Sequence, residues 1–316
     1  MEQYPQDFPG DHRNPQTGKG PDNIGVFRFV AFWQTICRLT FSRLAKDVYS
    51  QDSRFLLELI QNAEDNTYNE AQKQGRAPSV TFTLSGKKLV LDCNEDGFDE
   101  KDVKAICRTG GSEKRNRAGY IGEKGIGFKS VFRVAEEVKI QSGPFSFYFD
   151  AKAPDGLGLI TPWDAEYEDL PDHTGTRLTL RLKDPQDQNK RQEELCQLPE
   201  TLLLFLHKLR SISIHIDGIY EPIQLTHHYK FDEKLSVGTL TTTKNGSSKE
   251  KRFYIIKHRI SDLPVHRSRK DIFTAEIVLA FPVDKSGKPL IHPQYIFAYL
   301  PVRKYGLSVS LVSFAQ

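Results

Sequence analysis

The sequence predicts an α+β protein: a first half that mixes helices with strands, then a smaller, mainly β remainder. Three observations carry this. Apolar residues recur at helical spacing before Gly75, alternating runs rich in β-branched residues begin at Val80, and strand-like runs dominate from Ser211 onward. At 316 residues the chain has room for about two domains of about 150 residues each. Hydrophobic residues make up 38% and charged residues 27%, the balance of a globular protein that builds its core without disulfides.

The elements follow in order. Residues 1–24 are rich in Pro, Gly, Asp, Asn and Gln and are expected to form a disordered tail. Phe29, Phe32, Trp33, Ile36 and Leu39 recur on one side of a helix within 26–49. A second helix, capped by Asp52 or Ser53, should run from Phe55 to about Gln74 and stop at Gly75 and Pro78. Strands at 80–84 and 88–93, split by Ser85, Gly86 and Lys87, read as a hairpin. A short helix at 100–108, a glycine-rich basic stretch at 109–127 and a helix opening near Phe128 come next. Strands are expected at 137–141, 145–150 and 176–182. The charged stretch 184–193 suggests the boundary between a domain at 25–185 and one at 186–316. An amphipathic helix at 195–209 precedes strands at 211–216, 222–229, 252–259, 272–281 and 295–302, with 241–251 as a polar loop or hairpin tip. No repeat of fixed period is visible.

Several classes are excluded early. Lys plus Arg exceed Asp plus Glu by 44 − 41 = 3, too little to argue for nucleic acid. The longest apolar run, Leu202 to Leu206, cannot span a bilayer, and the polar start with Pro5 and Pro9 shows no secretory signal. Cys37, Cys93, Cys107 and Cys196 form no C-x-x-C pair and no zinc spacing, so they read as reduced, mostly buried thiols of an intracellular protein, cytoplasmic or nuclear.

Two segments carry chemistry. In the helix from Phe55 to Asp65, Leu56, Leu59, Ile60 and Ala63 share one side. At about 100° per residue, Glu58, Asn62 and Asp65 fall within about 60° of one another on another side. A carboxylate could orient and deprotonate a water, and an amide oxygen suits a hard cation such as Mg²⁺. Gly119, Gly122, Gly125 and Gly127 fall within nine positions, and such glycines let backbone amides approach phosphate oxygens, with Lys124 and Lys129 adding charge. A P-loop fails because Phe128 separates Gly127 from Lys129, and a dinucleotide fingerprint fails because no strand directly precedes the glycines.

Taken in order, four segments resemble the boxes of the GHKL ATPases, the superfamily of gyrase, heat-shock protein 90, histidine kinases and MutL. They are Glu58 to Asn66 (ELIQNAEDN), Asn94 to Phe98 (NEDGF), Gly119 to Ser130 (GYIGEKGIGFKS) and Thr174 to Leu180 (TGTRLTL). Within the superfamily the resemblance points to the NO VEIN and sacsin-type branch, through 49–58, 118–132 and 297–306. It implies a two-layer Bergerat sandwich, a mixed β-sheet with helices on one face, followed by the mainly β segment.

The resemblance also implies roles. Glu58 would be the general base, acting on Mg²⁺ only through water, and Asn62 would bind Mg²⁺. Asp65 would support the adenine end, and Gly97 would let the nucleotide pack on backbone next to Phe98. Gly122, Gly125, Ile126, Gly127, Phe128 and Lys129 would line the phosphates. Thr176 would bond near the adenine, and Arg108 to Arg117, with Ser112 and Lys114, would form a lid. The usual D-x-G-x-G spacing is missing, so Asn94, Asp92 and Asp96 all compete to read the adenine. Residues 307–316 no longer resemble the family's middle segment, so an incomplete second domain is expected, with Arg303 as a candidate for its missing basic residue. The implied ligands are ATP or ADP with Mg²⁺. The implied activity is slow hydrolysis coupled to lid closure in a chaperone-like or regulatory role, with a protein client and nucleotide-dependent dimerisation as possible partners. A non-hydrolysing interaction module or scaffold is the alternative. A histidine kinase fits poorly, since His12 is the only histidine upstream and lies in the polar tail.

Overall fold

The computed structural model describes residues 54–107, 128–153, 158–159, 161–183, 188–218, 221–261, 275–291, 294–298, 300–305 and 310–315. The expected tail and the helix at 26–49 lie outside these residues. The fold is α+β with one large mixed sheet and few helices.

The helices are α1 (Arg54–Asp65), α2 (Asn69–Lys73), α3 (Glu100–Cys107) and α4 (Gln188–Cys196). The strands of the first part are β1 (Ser79–Ser85), β2 (Lys88–Cys93), β3 (Ala135–Ser142), β4 (Phe145–Asp150), β5 (Trp163–Asp164) and β6 (Thr176–Leu182). Those of the second are β7 (Ser211–Ile216), β8 (Ile223–Asp232), β9 (Val237–Lys244), β10 (Ser247–Ile260), β11 (Ala275–Val283), β12 (Gln294–Ala298), β13 (Leu300–Tyr305) and β14 (Ser310–Ala315). Among the described residues the strand order is β13-β12-β14-β11-β10-β9-β8-β7-β1-β2-β6-β3-β4-β5. The two halves join where β1 runs parallel to β7. No helix among the described residues is long and apolar enough to cross a membrane.

Alternation sets the core face. In β1 the buried residues are Val80, Phe82 and Leu84. The registers align Ile214, Phe82, Leu91, Leu178 and Ile140 into one apolar row across β7, β1, β2, β6 and β3. Removing such side chains from water contributes about 1.5–3 kcal/mol each. Helix α1 buries Phe55, Leu56, Leu57, Leu59, Ile60 and Ala63 into the same core. It packs beside a 3-10 helix at Phe128–Arg133, whose Val131 and Phe132 are buried.

Three expectations need correction. The helix from Phe55 stops at Asp65 rather than Gln74. The Tyr68 hydroxyl turns back to the Ala63 carbonyl at 2.7 Å, and the Asp96 carboxylate accepts the Asn69 and Glu70 amides at 2.9 Å, starting α2 as a new helix. At Phe128 the backbone forms only the 3-10 helix. The helix expected at 195–209 is replaced by α4 and a 3-10 helix at Glu200–Leu204. Pro199 between them is extended at φ −73°, ψ 126°, and Thr201 to Leu206 are buried without a polar face. Of the two alternatives for 241–251, the hairpin tip is the one formed: the stretch makes the facing ends of β9 and β10 around Asn245 and Gly246, both at positive φ.

Candidate functional site

Two residues along from the apolar row, the same face of the sheet turns polar. The registers align Ile212, Val80, Cys93, Thr176 and Ser142. Just past the end of β2, Glu95 has the same parity as Cys93 and is 5% exposed. Its carboxylate accepts the Thr176 hydroxyl. Thr176 Oγ1 lies 2.5 Å from Ser142 Oγ, which accepts the Phe98 amide at 2.8 Å. Because the single Thr176 proton goes to the carboxylate, Ser142 must donate to Thr176, and a one-way chain results: Phe98 N–H to Ser142, Ser142 to Thr176, Thr176 to the carboxylate.

Two glycines permit this approach. A side chain at Gly175 would meet the Glu95 carbonyl oxygen at 1.7 Å, and Gly97 sits at φ +90°, where side chains are rarely tolerated. Burial pushes the Glu95 carboxyl up to about 7, with Thr176 opposing and the charges of Asp102 and Asp96 assisting. Burial likewise pushes the Cys93 thiol up to about 12, leaving it unreactive. Tyr68 ties this row to α1, since its hydroxyl contacts Cys93 Sγ at 3.2 Å and the Ala63 carbonyl.

On α1 itself, Glu58 is half-buried and pairs with Arg54 at 3.4 Å. Asn62 is half-buried, and no hydrogen bond joins its amide to another described residue. Asp65 is buried in the last turn of the helix. Phe128 packs on Phe132 and Phe149.

The three competitors for the adenine-reading role are otherwise engaged. The Asn94 side chain accepts from the Ser79 amide at 2.7 Å and donates to the Ala77 carbonyl at 2.9 Å. Asp92 holds Arg177 with two hydrogen bonds at 2.6 and 2.8 Å. Asp96 caps α2; burial works against its charge, but the Glu70 and Asn69 amides outweigh it and keep the carboxyl low. A period of two would have exposed the pattern. Cys93 faces the core, so Asp92, Asn94 and Asp96 fall on the other parity and Glu95 falls on the core parity.

Lys129 has partners within the fold: its ammonium lies 4.6 Å from the Phe149 ring centre and donates to the Leu159 carbonyl. Ser112, Lys114, Gly122, Gly125, Ile126, Gly127 and the stretch 108–117 lie outside the described residues. Arg303 sits in β13 opposite Ile296. Among the described residues no group of three or more His, Cys, Asp or Glu could hold a metal ion.

The Sacsin domain family matches residues 42–154. Protein NO VEIN of Arabidopsis thaliana is 32% identical over 289 residues, 84% of this chain and 10% of that protein. Chaperone protein HtpG of Alkaliphilus oremlandii is 25% identical over 275 residues, 78% of this chain and 40% of that protein. HtpG of Helicobacter pylori is 27% identical over 176 residues, 48% of this chain and 28% of that protein. The chain thus spans a tenth of the NO VEIN relative and two fifths or less of these chaperones. Together with the box order, these matches relate the chain to the heat-shock protein 90-like GHKL ATPases, on the side of the sacsin and NO VEIN proteins.

Proposed function

We propose that the chain binds an adenine nucleotide with Mg²⁺ in a Bergerat-type domain spanning 25–185 and hydrolyses it slowly. The observation that carries this reading is the buried Glu95 carboxylate on the Thr176–Ser142 chain, joined through Tyr68 to the helix that bears Glu58 and Asn62. A carboxylate offers about four acceptor positions. Thr176 and the Gly97 amide use two, which leaves capacity for the exocyclic amine of adenine. Guanine presents a carbonyl at the same position and would meet a like dipole. Glu95, rather than Asn94, therefore reads the base, and Thr176 holds it in place.

Asn62 suits Mg²⁺ because its amide oxygen is a hard neutral ligand with no competing bond to another described residue. Bound Mg²⁺ would neutralise charge on the phosphates. Glu58 would orient and deprotonate the attacking water, and the glycines at 122, 125 and 127 would supply amides to the phosphates. By the same resemblance, closure of 108–117 accompanies turnover, and the mainly β segment 186–316 carries the response to a protein client or a second copy, in a chaperone-like or regulatory role.

The test is calorimetric titration of Mg-ATP into the full chain, paired with a turnover assay. Saturable binding that is lost in Asn62→Ala, with turnover reduced about 10²–10⁴-fold in Glu58→Ala, is the expected result. Absence of binding overturns the reading. A second reading, a nucleotide-dependent interaction module without hydrolysis, is favoured by one observation, the Arg54 guanidinium beside Glu58. Binding without turnover above background selects it.

A further inference from the structure

Helix α1 carries a second carboxylate that the nucleotide reading does not use. At about 100° per residue Glu64 projects between Ile60 and Leu57, on the core side. It is 2% exposed. A charge placed there is costly unless it is fully bonded. Its partners are three consecutive backbone amides from far along the chain. Glu64 Oε1 accepts from His207 at 2.5 Å and Lys208 at 2.8 Å, and Oε2 accepts from Leu209 at 2.9 Å. The exchange is reciprocal. Lys208 Nζ donates to the Asp65 and Asn66 carbonyls at 3.2 and 2.6 Å, at the negative end of the α1 dipole.

The turn so gripped leads directly into the second half of the sheet. The Arg210 amide bonds the Pro78 carbonyl at 2.8 Å, just before β1, and its carbonyl accepts the Tyr229 amide of β8 at 2.8 Å. Ser211 then opens β7. Helix α1, the 207–209 turn, β7 and β8 are therefore joined by short bonds, with the buried Glu64 side chain as the link between α1 and the turn.

We infer that Glu64 and Lys208 form a latch: Glu64 is a positioning residue that couples α1, with Glu58 and Asn62, to β7 and β8, so that a shift of α1 on nucleotide binding is passed to the distal strands. The trigger rests on the nucleotide reading; the mechanical coupling does not.

Hydrogen exchange of the full chain, with and without Mg-ATP, tests it in wild type, Glu64→Gln and Lys208→Met. Glu64→Gln keeps the size but replaces an acceptor with a donor, and Lys208→Met keeps the stem. In wild type, Mg-ATP is expected to slow exchange about tenfold or more in both 54–65 and 211–232. In the variants, binding should stay within about threefold and α1 should keep its response, while 211–232 loses its own. An unchanged response at 211–232 in both variants overturns the latch, as does a wild-type response confined to α1. If wild type binds no Mg-ATP, the nucleotide reading fails, and exchange without nucleotide decides the latch. A common opening of 54–65 and 211–232 that splits in the variants upholds it, and one that persists in both overturns it.

Discussion

Glu64 and Glu95 are both buried glutamates at the edge of one core, and burial raises the pKa of both carboxyls. They differ in what opposes that rise. Glu64 is surrounded by fixed backbone donors, from Leu209, Lys208 and His207, and these leave little capacity for another ligand. Glu95 leans on a hydroxyl that is itself relayed through Ser142, with one further amide from Gly97. Burial alone therefore does not mark a ligand site. A carboxylate held by three fixed backbone amides is a joint, whereas one held by a side-chain relay keeps room for a ligand.

The largest effect should come from breaking the joint. Glu64→Ala leaves three backbone amides, one buried and two partly buried, without their acceptor and is expected to lower unfolding free energy by about 3–5 kcal/mol in a urea titration, without altering the preference among nucleotides. A change in base preference at retained stability would erase the distinction between the two glutamates.

The pH dependence sharpens it further. Glu95 titrates near 7 in the folded protein against 4.5 for the ordinary group. The sign follows from linkage. Its neutral form is favoured by folding, so its contribution to stability is full below about pH 4.5 and is lost as the pH rises through about 7. Binding runs the opposite way, because the ionised carboxylate is the better acceptor for an amine. Affinity for an adenine nucleotide should rise about tenfold between pH 6 and pH 8 and be flat in Glu95→Gln. A flat wild-type profile would remove Glu95 from the base-reading role.

The smallest effect concerns the relay. Ser142→Ala leaves the Phe98 amide without its hydroxyl acceptor and frees Thr176 to rotate. It should cost about 0.5–1.5 kcal/mol in stability and weaken adenine-nucleotide binding by a few-fold, read by thermal unfolding and calorimetry. Stability lost without any effect on binding would make the relay purely structural.

Much of this was legible in the sequence. The hairpin around Ser85, Gly86 and Lys87 and the strands at 145–150, 176–182 and 211–216 follow from alternation and turn residues, and each pairs accordingly. The split of the carboxyl-bearing helix into α1 and α2 was not legible, because its cause is remote: the Asp96 carboxylate, 26 positions beyond Glu70, caps the second piece. The helix expected at 195–209 fails for a local reason, Pro199, followed by residues buried on every side. At the candidate site, Thr176 and Gly97 could be named from the box pattern; Glu95 stands two residues before Gly97, at the D-x-G spacing, and escapes that pattern because it is a Glu in the place of an Asp. Strand parity after Cys93 is the signal that reaches it. Glu64 stood as a charge on the core side of a helix, and only the fold supplies its partners at 207–209.

The most direct test of the account is the preference of the full chain for Mg-ATP over Mg-GTP at pH 8, measured by calorimetry in wild type and Glu95→Gln. Wild type is expected to prefer ATP by about 10–100-fold, and the preference should shrink to near unity in the variant while the fold is retained. An equal preference in both proteins, or GTP bound as tightly as ATP by wild type, would contradict it.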